Sequence, residues 1–154
     1  MSRENILKIA AQENGQSESP AHSNTTKYGD WYGLNGQPWC AIFVSWVFHH
    51  AGHSLPKINT DKGFHYCPSG YNFWKLRNQF TQNPATGDII LYHFHPGHQS
   101  DHTGIFVRWL VKGLYFEAWE GNTSSKDARD GGSVMLQRRW VGLVREFVEV
   151  DVDG

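Results

Sequence analysis

Cys40 stands where turn residues give way to an apolar run, Gly36-Gln37-Pro38-Trp39-Cys40-Ala41-Ile42-Phe43-Val44-Ser45-Trp46-Val47-Phe48. Pro38 suits the first turn of a helix, and the apolar residues after it predict a buried helix that Gly52 stops. A thiol in a first turn lies at the positive end of the helix dipole. The unpaired backbone N–H groups there favour thiolate over thiol and can also hold an oxyanion. The same position reads equally well as a small buried hydrophobe, the usual fate of a lone cysteine. What separates the two is a base, and such partners are near in space rather than in sequence.

Four of the nine histidines fall in one stretch, His93-Phe94-His95-Pro96-Gly97-His98-Gln99-Ser100-Asp101-His102. Two chemistries compete for it. His93, His95 and His98 form His-x-His-x-x-His, which resembles the ligand run of zinc hydrolases of the metallo-β-lactamase type. That pattern has an Asp before its third His, where this chain has Gly97, and here a further strand follows at once. In the other reading His102 opens the strand His102-Thr103-Gly104-Ile105-Phe106-Val107, where a sheet would fix its ring as the base for Cys40. His93, His95 and His98 then belong to a polar surface loop. A base needs an orienter to hold its tautomer. The next strand ends in Phe116-Glu117-Ala118-Trp119-Glu120-Gly121-Asn122-Thr123, and a hairpin would return Glu120 beside His102. Glu120 and Asn122 are two apart and tend to share a side, with Gly121 allowing close approach of backbone. Glu117 is out of phase and reads as an exposed carboxylate.

These residues need elements to carry them. Ser2 to Asn14 predicts an amphipathic helix, capped by Ser2, with Ile6, Leu7, Ala10 and Ala11 on one face and Gly15 at its end. Gln16 to Thr26 reads as a loop, and the aromatic stretch Tyr28 to Trp39 leads into the Cys40 helix. Ser54 to Pro84 is irregular, with one short helix near Tyr71 to Arg77. The second half changes period. Asp88–Phe94, Thr103–Leu110, Leu114–Trp119, Ser133–Arg139 and Val141–Val148 predict strands, separated by turn signals at Gly87, Gly113 and Gly131-Gly132. The expectation is an α+β fold with N-terminal helices packed on an antiparallel sheet of about five strands.

The 154 residues fit one domain with a real core, rich in aromatics (7 Trp, 6 Tyr, 9 Phe) and glycine. A formal charge of −1 gives no electrostatic case for nucleic acid or an anionic membrane as partner. No stretch is long and apolar enough to span a bilayer, and Met1 to Asn14 lacks a signal-peptide profile. Synthesis in the cytoplasm is therefore expected, with Cys40 and Cys67 as free thiols; a bridge between them would silence a nucleophile.

Taken in order, Pro38-Trp39-Cys40-Ala41-Ile42-Phe43-Val44-Ser45-Trp46, Gly87-Asp88-Ile89-Ile90, His102-Thr103-Gly104-Ile105 and Glu120-Gly121-Asn122 resemble the CHAP family, the cysteine- and histidine-dependent amidohydrolases and peptidases. The likeness runs from about Thr26 to about Phe147, and Ser23 to Gly33 is further similar to single-module phage endolysins. The resemblance implies a papain-like fold over one catalytic domain, with Cys40 as nucleophile, His102 as general base, Glu120 as orienter and Asn122 beside it. It implies bacterial peptidoglycan as substrate, reached through a holin or a phage particle. Some members carry an acidic calcium loop before the cysteine. Asp30, Asn35 and the aromatics between them offer too few carboxylates, so no cofactor is expected. Gln37, Asn35 or a nearby Tyr are candidates for a side-chain oxyanion donor. Trp31, Tyr32, Trp74 and Trp119 are candidates for the groove wall, and each also reads as core packing. Two further function classes stand beside this one: a zinc hydrolase using the histidine cluster, and a non-catalytic wall-binding module using exposed aromatics. A deamidase or inhibitor on the same fold is a minor fourth.

Overall fold

Helical periodicity fills the first half of the chain and strand periodicity the second. A computed structural model of the protein, which describes residues 3–94, 100–123 and 132–151, has that order. Helices α1 (Arg3–Gln12), α2 (Lys27–Tyr32), α3 (Cys40–His50) and α4 (Cys67–Leu76) precede strands β1 (Phe80–Thr81), β2 (Ile89–Tyr92), β3 (His102–Val111), β4 (Tyr115–Thr123), β5 (Ser133–Trp140) and β6 (Val144–Val148). The strands form one antiparallel sheet in the order β1-β6-β2-β3-β4-β5. The architecture is α+β. It has six strands rather than about five because β1 adds a two-residue edge beside β6, too short for an alternating pattern to announce.

A helix apolar on nearly every side must be buried on nearly every side. Accordingly α3 packs on β3 and β4 and is flanked by α1 and α2. Alternation along the strands divides the remaining core in two. Ile89, Leu91, Ile105 and Trp119 join Ile42, Phe43 and Val47 between helices and sheet. Ile90, Tyr92, Phe106, Phe116, Ala118 and Phe147 pack on the opposite face.

Several local readings change. In α1, Ile6 and Ala10 are buried but Ala11 is exposed. The inward stripe continues instead to Glu13, which accepts from the Tyr28 hydroxyl at 2.8 Å. The proposed Ser2 cap lies outside the described residues. The aromatic lead-in contains a helix of its own, α2, because the Thr26 hydroxyl accepts from Gly29 N–H and Gly33 ends it in the left-handed region. Pro38 lies just before the N-cap residue Trp39, not inside the first turn of α3. Helix α4 starts four residues earlier than Tyr71, at Cys67, with Pro68 in its first turn.

The Gly87-Asp88 turn has a positioning role. The buried Asp88 carboxylate accepts from Arg3 Nη1 at 2.6 Å, Ala85 N–H at 2.8 Å and Val150 N–H at 3.1 Å. One side chain thus ties α1, the entry to β2 and the residue beyond β6, fixing the hairpin that carries His102.

Candidate active site

Cys40 is the first residue of α3, 5% exposed. The first helical ladder bond runs from Phe43 N–H to the Trp39 carbonyl, so the amides of Cys40, Ala41 and Ile42 have no partner within the helix. Trp39 provides no side-chain cap. It anchors the helix start by other means, stacking on Tyr28 with centroids 5.6 Å apart and donating from Nε1 to Glu18 at 3.0 Å.

His102 opens β3 directly opposite Tyr92 of β2. Its ring packs against both Tyr92 and Phe94, with centroids 5.6 and 5.1 Å away. Its Nε2–H donates to Glu120 Oε1 at 2.8 Å. That bond commits Nε2 and leaves Nδ1 as the ring nitrogen available to the Cys40 thiol, which is near enough for the charges of Cys40 and His102 to act on one another. The structure therefore brings together Cys40, His102 and Glu120 from three separate elements.

Glu120 is fully buried and fully engaged. Besides His102 it accepts from the Tyr92 hydroxyl at 2.7 Å and from Arg139 Nε and Nη2 at 2.9 and 2.6 Å. Close approach of β3 and β4 makes this possible. A Cβ on Gly104 would lie 2.8 Å from Glu120 Cγ, and one on Gly121 would lie 2.6 Å from Phe43 Cβ on α3. Asn122 is also buried, but its φ of +53° and the register shift after Glu120 end the extended alternation there. Its Oδ1 accepts from Gly132 N–H across to β5 at 3.3 Å. The expectation that Glu120 and Asn122 share a side by simple alternation does not hold, and Glu120 is the side chain on His102.

The charges reinforce one another. Burial opposes ionisation of Glu120, but Arg139 and His102 outweigh it and bring the carboxyl down to about 2. Burial likewise opposes imidazolium at His102, and the neighbouring Cys40 and Glu120 charges raise it to about 9. The Cys40 thiol is held well below its ordinary value, first by a hydrogen bond with Cys67 and then, against burial, by the charge of His102. Both shifts favour the thiolate–imidazolium form of the pair.

Other sequence candidates fall elsewhere. Asn35 has its amide engaged on α2, accepting from Thr26 N–H at 3.1 Å and donating to Asp30 at 2.7 Å, so it is a loop brace rather than an oxyanion donor. Trp31 packs on His49 and His50 at the far end of α3, about 15 Å from Cys40 at 1.5 Å per helical residue. Tyr32, Trp74 and Trp119 are buried in the main core, the role set beside the groove wall for each. Gln37 is exposed, three residues before Cys40. His93 follows the end of β2, with its N–H on the Leu143 carbonyl. His95 and His98 lie outside the described residues, and among the described residues no three His, Cys, Asp or Glu side chains gather as a metal site. Sequence reasoning missed Tyr92, Arg139 and Cys67. Tyr92 and Arg139 are legible only through strand register, since Arg138 and Arg139 are indistinguishable until one is known to face Glu120. Cys67 could have been found from the Cys67-Pro68 pair as a helix start.

No helix among the described residues is long and apolar enough to cross a membrane. No protein-family model matches the chain, and no curated protein matches it.

Proposed function

We propose that the chain hydrolyses an amide bond of bacterial peptidoglycan through an acyl-enzyme on Cys40. The observation that supports this best is the buried cluster that sets Cys40 beside His102, with His102 bonded to Glu120 and Glu120 to Arg139 and Tyr92. The Cys40 thiolate attacks the carbonyl carbon, and the unpaired amides at the start of α3 stabilise the tetrahedral oxyanion. His102 imidazolium, with Glu120 holding its ring, gives its proton to the leaving amine. The neutral ring then takes a proton from water as that water attacks the thioester, and Cys40 leaves as thiolate. Losing one oxyanion donor would slow turnover on the order of a hundred- to a thousandfold.

The wall substrate rests on the ordered resemblance to the CHAP family. Both an N-acetylmuramoyl–L-alanine amidase and a stem or cross-bridge endopeptidase present Cys40 with the same carbonyl chemistry. A phage lysin, reaching the wall through a holin or from a particle, fits that substrate. Cys40→Ala and His102→Ala are expected to fold with unchanged circular dichroism and to leave a turbid suspension of purified walls uncleared. Clearing by either variant at the native rate would remove the dyad from the mechanism.

A further inference from the structure

Cys67 has no role in the proposed mechanism, yet its Sγ lies 4.0 Å from Cys40 Sγ. These are the chain's two cysteines, both free, and both buried at 5% and 6% exposure. Each is the first residue of its helix, and neither N-cap residue, Trp39 or Tyr66, caps its helix with a side-chain hydrogen bond. Two uncapped helix starts therefore bring two sulfurs together beside one imidazole.

We propose that Cys67 is a positioning residue for the nucleophile: its S–H donates to the Cys40 sulfur and keeps that sulfur ionised. The inference rests on Cys40 being the nucleophile. Two sulfurs in contact share one proton, and their surroundings decide which keeps it. Facing Cys40 is His102 of β3, itself backed by Glu120 of β4 and Arg139 of β5. On the side of Cys67 the negative charge of Asp101, after the bond to Cys40 and burial, opposes a second thiolate. The negative charge settles on Cys40 and the proton on Cys67. A donor of this kind acts before the reaction. Once the thiolate attacks, its charge has left the sulfur, so Cys67 lowers the pH at which the nucleophile becomes available and, by stabilising the ionised form, does not make that form more reactive.

The test is the pH dependence of alkylation by iodoacetamide, followed on the Cys40 peptide by mass spectrometry. No wall substrate is involved, so the outcome is independent of which amide is cleaved. In the native protein, Cys40 alkylates with a midpoint well below that of an ordinary thiol, and Cys67 stays unmodified. Cys67→Ala is expected to raise the midpoint by about one pH unit, tenfold in thiolate population at a given pH. Its rate at high pH should equal or exceed the native rate, because a less stabilised thiolate is the better nucleophile. Cys67→Ser retains a donor and is expected to return the midpoint toward native. Cys67→Val removes the donor with a fuller side chain, should the Ala variant fail to fold. A midpoint unchanged in Cys67→Ala or Cys67→Val, or raised as far in Cys67→Ser as in Cys67→Ala, would overturn the proposal. A uniform loss of rate at every pH would mark a purely structural role and overturn it too.

Discussion

At the scale of single residues, the site is a balance of charges that cannot be moved one at a time. Glu120, held down to about 2 from 4.5, adds stability that is complete above pH 4.5 and lost as pH falls through 2. His102, raised from 6.5 to about 9, adds stability that is complete below pH 6.5 and lost as pH rises through 9. Cys40, lowered from 9.0, contributes oppositely: its stabilisation grows with pH until the unfolded thiol also ionises near 9.0. Between 6.5 and 9 the two contributions oppose each other, His102 losing stability as pH rises and Cys40 gaining it. Above 9 the folded chain keeps a proton on Cys67 and stability falls. Thermal unfolding followed against pH should therefore rise through the acid range, run flat from about 6.5 to about 9, and then decline. A midpoint that fell steadily across that plateau would mean that His102 titrates without its thiolate partner.

Elements determine whether these residues meet at all. The Cys40 helix and the strands carrying His102 and Glu120 were legible because their apolar patterns are long and their ends are marked by Pro, Gly or a polar residue. The short and irregular pieces were not. Helix α2 is held by one Thr cap, α4 is marked by Cys67-Pro68 alone, and the register shift at Asn122 has no sequence period. Which side chains back the histidine was equally hidden. Tyr92 and Arg139 reach Glu120 from β2 and β5, and that convergence depends on sheet order rather than on local sequence. Gly121 is a point of close approach between α3 and β4, and its place between Glu120 and Asn122 was readable as a need for backbone approach. Gly121→Ala would press a methyl into Phe43 and Trp39 at 2.6–2.9 Å, both on the run that begins α3. Overpacking of this kind costs about 1–3 kcal/mol. Chemical denaturation should show that loss, with a fall in wall clearing because Cys40 moves with Trp39. A variant as stable and active as the native chain would show that the two elements are free to separate.

The molecule as a whole places Cys40 from its helical half against His102 and Glu120 from its sheet half. In the proposed mechanism neither half carries the chemistry alone: α3 supplies the thiol and its unpaired amides, while β3 and β4 supply His102 and Glu120. Asp88 and Arg3 tie the first helix to the sheet entry and to the residue beyond the last strand, so the halves are joined at a distance from the site. The proposed substrate is the amide-rich polymer of the cell wall. Mass spectrometry of purified peptidoglycan, digested with the native protein or with Cys40→Ala, tests this most directly. The native protein should release fragments with one new amine and one new carboxyl end at a single type of amide bond, and Cys40→Ala should release none. Equal release by both proteins, or intact peptidoglycan after native digestion, would contradict a Cys40 amide hydrolase of the cell wall.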